Sequence, residues 1–283
     1  MVIPVHDLNP VRRTPWVTYA LIAVNVIVFL RTPALPWSFS GNGSLADMCH
    51  LQAFQQQWGA VPRELIRGIM PKIVPTGDSG VSDTGQAGCV IGPPGYDKSP
   101  PLSALTAMFL HGSWMHLLGN MLFLWIFGNN VEDRMGRVRY LLFYLLCGFA
   151  ATYGFALAQP DSTQTLIGAS GAIAGVLGAY IVLWPKARVW SLITLGIIFP
   201  VKLPAWVVLG LWFALQAVYS AGGGVEQGTV AYVAHVVGFV VGALVALPLR
   251  RHTAPLPPQP SRYRSRPWQP PPPQSWGPPP GPQ

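Results

Sequence analysis

Charge is scarce in this sequence. Of 283 residues only 10% are Asp, Glu, Lys or Arg, while 51% are hydrophobic. A soluble domain is nearer ~25% charged, so an ordinary water-soluble enzyme is excluded and an integral membrane protein is indicated. No cleavable leader is evident in the sequence either. The first apolar run follows "HDLNPVRRTPW", is long and has no small-residue cleavage site, so it reads as a retained span. Cysteine is sparse, with three in all. Cys147 lies in an apolar segment and reads as a small buried residue. Cys49 and Cys89 share one long loop; if that loop is extracytoplasmic a disulfide between them is as compatible with the sequence as two free thiols. Carboxylates are missing from the apolar runs, and no inverted repeat is apparent, which argues against a small transporter.

The charge that is present sums to +8. That balance resembles a nucleic-acid signal, but the basic residues gather at the ends of apolar runs, where they set topology instead. Crossing the hydrocarbon core takes about 20 apolar residues. Six candidate spans follow, at 16–30, 114–129, 138–157, 168–184, 204–220 and 229–249, giving an all-α membrane protein. The stretch 189–198, "VWSLITLGII", is too short to span; it lies in the interface or extends the fifth helix. Arg12, Arg13, Arg134, Arg137, Arg139, Lys186, Arg188, Arg250 and Arg251 all fall on one side if the spans alternate, and that side is cytoplasmic. Both termini are therefore expected in the cytoplasm of a multi-pass cell-membrane protein.

The organisation expected is a cytoplasmic segment at 1–14, a six-helix domain at 15–252 and a tail at 253–283. Within the domain, 31–101 forms a long first extracytoplasmic loop. Its second half, "PTGDSGVSDTGQAGCVIGPPGYDKSP", is rich in Gly, Ser, Asp and Pro and reads as an irregular insertion. The tail is proline-rich and cannot bury a core, so disorder or polyproline II is expected. Its PxxP runs can recruit a partner domain, although tethering or solvation is the plainer use.

One apolar run, "TLIGASGAIAGVLGAY", carries four glycines and a serine. Glycine inside a helix costs about 1 kcal/mol relative to alanine, so something must offset it. Gly171, Gly175 and Gly178 stand at i, i+4 and i+7 and make one small-residue face. In the sixth run, "AYVAHVVGFVVGALVA", His235, Gly238 and Gly242 likewise share a face. Two such faces let backbones approach closely, which brings Ser170 and His235 within reach at similar depth. A serine in a membrane helix commonly just packs or bonds to its own helix, whereas a histidine there is costly and tends to be functional. Together they make a nucleophile–base pair, since neutral imidazole can take the hydroxyl proton near pH 7. In the second run His116 and Asn120 are i and i+4 near the outer end. They can supply oxyanion donors with the Ser170 N–H, or Asn120 can simply join helices. His111 is off that face and braces the loop. His111 and His116 lack the i, i+4 spacing and the glutamate of a zinc protease, so no metal or cofactor is expected.

These residues resemble the rhomboid family of intramembrane serine proteases: "GASG" around the serine, "HLLGN", "AHVVGFVVG", and "NNVEDRMG" after the second span. The resemblance covers the six-helix core. It implies a Ser170–His235 dyad without a third acid, an oxyanion hole of His116, Asn120 and the Ser170 amide, and structural roles for Gly168, Glu132 and Arg134. It implies single-span membrane proteins within the lipid bilayer as substrates, cut near the extracytoplasmic face. The alternative is a catalytically silent relative that binds and escorts membrane clients, but such relatives typically lack the dyad. Two features depart from the family. Ala174 stands where some members stack a tyrosine on the histidine, leaving Tyr232 to orient the base. The first loop reads "SPPLSALTAMFLH" where many members carry a Trp-Arg pair.

Overall fold

The computed structural model describes residues 2–33, 44–194, 198–221 and 232–250. The proline-rich tail with its PxxP runs, Arg251, and most of the loop before the sixth span lie outside them.

Helix α1 (Trp16–Arg31) starts where it does because a distant carboxylate caps it. Glu132 accepts the Val17 and Thr18 N–H groups at 3.0 and 2.7 Å, and the Thr18 hydroxyl at 2.8 Å. A helix N-terminus leaves such N–H groups unsatisfied and carries partial positive charge, so a buried carboxylate is well placed there. Helix α5 (Trp114–Phe123) passes through a π turn (Leu124–Gly128) into α6 (Asn129–Met135), so the second apolar run forms one rod. Gly136, at φ +81°, stops it, and α7 (Arg137–Ala158) turns back. Helices α8 (Ser170–Leu183), α9 (Ala205–Ala221) and α10 (Tyr232–Arg250) complete the helical core. Two of these helices, α7 and α10, are long and apolar enough to cross a membrane, while α1, α8 and most of α9 are shorter apolar helices.

The helix α8 is interior. Every residue from Gly171 to Tyr180 is buried, with small and large side chains on all sides. Around it the outward faces stay apolar: Leu142 on α7 is 62% exposed, Val218 on α9 66% and Leu244 on α10 59%. Apolar residues facing outward suit a lipid solvent rather than water.

The described part of the segment 189–198 does not extend α9, which begins at Ala205. Residues 189–194 belong to strand β4 (Arg188–Thr194), which sits between β1 (Val2–Asp7) and β5 (Ile198–Pro204) in an antiparallel sheet. The reason is visible in hindsight: Val189 and Ser191 are fully buried and alternate with more exposed neighbours, a period of two rather than 3.6. Asp7 locks this sheet to the helices, accepting the Tyr180 hydroxyl of α8 and the Asn130 amide, each at 2.7 Å.

The insertion in the first loop is likewise ordered, not irregular. Helix α2 (Leu45–Trp58), started by a Ser44–Asp47 capping box, leads to a short α3 (Pro62–Arg67) and a hairpin of β2 (Val74–Val81) and β3 (Ala87–Gly92). A disulfide joins Cys49 of α2 to Cys89 of β3. Lys98 and Glu64 pair at 2.6 Å with side chains 3% and 1% exposed. Helix α4 (Pro100–Thr106) then leads the chain towards α5.

Candidate active site

Glycine decides where α8 and α10 meet. A Cβ added at Gly238 would strike the Gly171 carbonyl, one at Gly242 the Gly175 carbonyl, and one at Gly178 the Phe239 carbonyl. The two helices thus touch backbone to backbone. On its other side Gly171 packs on Ala151 and Gly175 on Cys147, both of α7. Wedged between neighbours in this way, α8 has no room for larger side chains at these positions.

At the top of this contact the Ser170 Oγ and the His235 Nε2 lie 2.7 Å apart. Ser170 is the first residue of α8, so the N–H groups of that first turn have no acceptor within the helix. They point the positive end of the helix dipole at the serine. His235 is 8% exposed. Its other ring nitrogen, Nδ1, lies 2.8 Å from Gln216 Oε1 of α9, and its ring lies 5.9 Å from that of Trp212, tilted by 36°.

His116 sits across from the pair. Its Nδ1 accepts the Gly112 N–H at 3.3 Å, so in the neutral ring the proton is on Nε2. That Nε2 faces Gly168: a Cβ there would come within 2.8 Å of it. Gly168 holds φ +122°, a backbone conformation that other residues rarely adopt, and its N–H is tied to the Ala107 carbonyl at 2.8 Å. The Asn120 Nδ2 is buried and finds no hydrogen-bond acceptor among the described residues. His111, 1% exposed, packs edge-on against His116 with ring centroids 5.0 Å apart. Ser170, His235, His116 and Asn120 line one cavity of about 860 Å³. Polar side chains of the outer loops, Gln55, Gln164 and Thr165, line it too.

Glu132 and Arg134, also singled out by sequence, do not line this cavity. Glu132 caps α1 as described, and Arg134 Nη2 donates to the Leu249 carbonyl at 2.6 Å, holding the end of α10. Tyr232 lines the cavity, and α9 supplies a hydrogen bond to a His235 nitrogen and a ring against its imidazole. Gln216 and Trp212 were therefore missed by sequence reasoning. A signal existed: Gln216 is a lone amide in the apolar run "LGLWFALQAV", the same feature that drew attention to Asn120.

A predominantly helical core with lipid-suited outer faces, and a serine hydrogen-bonded to a histidine inside it, defines the class as a helical membrane protein. Residues 100–252 match the model of the Rhomboid domain, and the chain belongs to the rhomboid family. That family is membrane-embedded and includes intramembrane serine proteases. The chain is 33% identical over 148 residues to "Rhomboid protein 1, mitochondrial" of Saccharomyces cerevisiae, covering 50% of this chain and 40% of that protein. It is 32% identical over 150 residues to "Rhomboid-like protein 11, chloroplastic" of Arabidopsis thaliana, covering 50% of each. To "Rhomboid protease GluP" of Bacillus subtilis it is 35% identical over 118 residues, covering 42% of this chain and 22% of that protein. The chain thus spans half or less of the length of these relatives.

Proposed function

We propose that this chain is an intramembrane serine endopeptidase, with Ser170 as nucleophile and His235 as general base. In this reading α1, the α5–α6 rod, α7, α8, α9 and α10 each cross the bilayer. Residues 1–14 and the tail at 253–283 are cytoplasmic, and the loop at 31–101 is extracytoplasmic. The protein resides in the cell membrane. The observation that carries the reading is the 2.7 Å contact between Ser170 Oγ and His235 Nε2, in a cavity shared with the buried Asn120 Nδ2, which has no acceptor among the described residues.

The chemistry follows from these atoms. Ser170 Oγ attacks the scissile carbonyl carbon while its proton passes to His235 Nε2. The carbonyl oxygen becomes an oxyanion, met by the Asn120 Nδ2–H, the His116 Nε2–H and the Ser170 N–H. This gives the buried Asn120 donor a partner only when charge develops, which is the differential binding that lowers a barrier. The C–N bond then breaks, and the leaving amine takes the proton from Nε2. Water, entering past Gln164 and Thr165, gives its proton to His235 as it attacks the acyl-enzyme; the free acid leaves and Ser170 recovers its proton.

Substrates of this centre are single-span membrane proteins. A helical peptide bond is shielded by its own hydrogen bonds, so the segment must unwind near the extracytoplasmic face, which favours small or helix-breaking residues at the cut. Ser170→Ala is expected to abolish cleavage of a reporter span, at least a thousandfold, while the protein stays folded. A fluorophosphonate should label the wild type at Ser170 and label His235→Ala far more slowly. Cleavage by Ser170→Ala at the wild-type rate removes this serine from the mechanism, and an unreactive Ser170 favours a client-binding role.

A further inference from the structure

The histidine has two nitrogens and only one arrangement of protons serves a base. For Nε2 to accept the Ser170 proton it must be bare, which in a neutral ring puts the hydrogen on Nδ1. In the Ser-His-Asp arrangement a buried carboxylate enforces that tautomer. Here Nδ1 meets an amide, Gln216 Oε1, at 2.8 Å. A carbonyl oxygen can only accept, so this contact requires Nδ1–H and leaves Nε2 free for the serine. The reversed amide would present NH2 instead. It would turn Nδ1 into an acceptor, put the proton on Nε2 and disable the base.

We propose that Gln216 is the positioning residue that fixes the His235 tautomer, with Trp212 one turn earlier on α9 bracing the ring. The proposal rests on Ser170 and His235 being nucleophile and base. The arrangement answers one departure of this sequence, Ala174 in place of a tyrosine that stacks on the imidazole, and among the described residues no acid completes a triad. Trp212 and Gln216 stand at i and i+4, so they share one face of α9. One presents a ring and the other an acceptor to the same histidine. When His235 takes the serine proton both nitrogens carry hydrogen, and Gln216 Oε1 still accepts from Nδ1–H. An amide dipole therefore supports the imidazolium where a triad would use a full charge.

The test uses the full chain in lipid, labelled with 15N-histidine, in wild type, Gln216→Met, Gln216→Glu and Ser170→Ala forms. The His235 signals are assigned by their loss in His235→Ala. The wild type should show one tautomer, with Nδ1 protonated and Nε2 bare. Gln216→Met should lose that single pattern and lower kcat on a reporter span by about tenfold or more, the scale of one lost hydrogen bond. KM should change less than about twofold, because Gln216 holds the base and not the substrate. Gln216→Glu keeps an acceptor and should restore both the nitrogen pattern and most of kcat. Should Gln216→Met fail to fold, Gln216→Ala is read in the same way. Wild-type Nε2 protonation overturns the proposal. So does Gln216→Met with an unchanged spectrum and kcat, or a folded Gln216→Glu that rescues neither. If Ser170 neither cleaves nor reacts, the proteolytic reading falls by itself, and the nitrogen spectrum still decides the Gln216 contact.

Discussion

The α8–α10 contact and the loop insertion of α2, α3, β2 and β3 are held together by opposite means. Between α8 and α10, Gly178, Gly238 and Gly242 meet the backbone of the facing helix, with the Ser170–His235 bond at one end. In the insertion there is a disulfide, a buried ion pair and a capping box, over few fully buried apolar residues, among them Cys49, Ala60, Val61 and Val74. The difference follows from the solvent. Lipid is as apolar as a leucine side chain, so helices in it gain nothing from hiding apolar surface and must gain from close packing of small residues. A small insertion in water has too little apolar surface for a core of its own and relies on cross-links. The two regions meet along the loop after α7, where the Arg63 N–H donates to the Ser162 carbonyl at 3.0 Å and Arg67 pairs with Asp161 at 3.1 Å. An antiparallel bridge joins Ala60 to Leu166, and Thr165 donates to Gln56 Oε1 at 3.0 Å, four and five residues before Ser170.

If that division is right, the largest effect should come from one methyl group between the helices. In Gly242→Ala the new Cβ collides with the carbonyl and Cα of Gly175, backbone atoms that yield only if the helices part. Overpacking of this kind costs about 3 kcal/mol and sometimes more. It should also open the Ser170–His235 contact, lowering the thermal midpoint in detergent and eliminating fluorophosphonate labelling. Gly210→Ala on α9 is the control, since nothing lies within 4 Å of its Cβ. It should be neutral or gain up to about 1 kcal/mol from helix propensity. Equal midpoints for the two variants would break the claim that glycine holds the core.

The insertion should respond to charge instead. Burial holds the Lys98 ammonium below the usual lysine range, and its hydrogen bond and attraction to Glu64 oppose that shift. Lys98→Met leaves the Glu64 carboxylate buried without its cation, which costs about 3–5 kcal/mol. The loss should be local: faster tryptic cutting at Arg67 and Lys72, with the thermal midpoint of the helical core little changed. The double variant Glu64→Gln, Lys98→Met should recover much of the protection, because no bare charge remains. A fall of the core midpoint in step with proteolysis of the insertion would show that the contacts along the loop after α7 couple the two regions into one unfolding unit.

Legibility in the sequence followed the same boundary. The glycine faces of α8 and α10 could be read because a helix period of 3.6 and a tolerance for small residues leave regular marks, and the same marks singled out Ser170 and His235. The β-structure was not read. The strand at 188–194 was hidden because its buried face alternates Val189 and Ser191 within a run that is apolar throughout, so hydropathy alone did not separate a strand from a helix fragment. The hairpin was hidden for the opposite reason: Gly77, Gly80 and Gly85 with Ser and Asp look like loop, while cross-strand pairing and the Cys49–Cys89 link supply the order. Gln216 escaped because its meaning depends on which helix face meets α10, which is a tertiary fact.

The smallest predicted effect concerns a third mode of attachment, between the β1–β4–β5 sheet and α8. Asp7 is 5% exposed and accepts from Tyr180, a residue of the buried glycine-rich helix, so here a polar group reaches into the packed core. Burial pushes its carboxyl up from the ordinary 3.8 to about 6, against the pull of the hydrogen bonds from Tyr180 and Asn130. A carboxyl that holds its proton more tightly when docked favours docking as pH falls through about 6 towards 3.8, and that gain is absent above 6. Local opening of β1 should therefore be about tenfold rarer at pH 5 than at pH 7, read as amide exchange at Val5 and His6 after correction for intrinsic rates. Asp7→Asn should erase the difference. An unchanged pH response in Asp7→Asn would place the sensing group elsewhere. A pH response confined to β1, with the α8 amides unmoved, would show that the glycine contacts hold α8 without help from the sheet, which extends the division between packed and cross-linked regions to the end of the molecule that carries the β1–β4–β5 sheet.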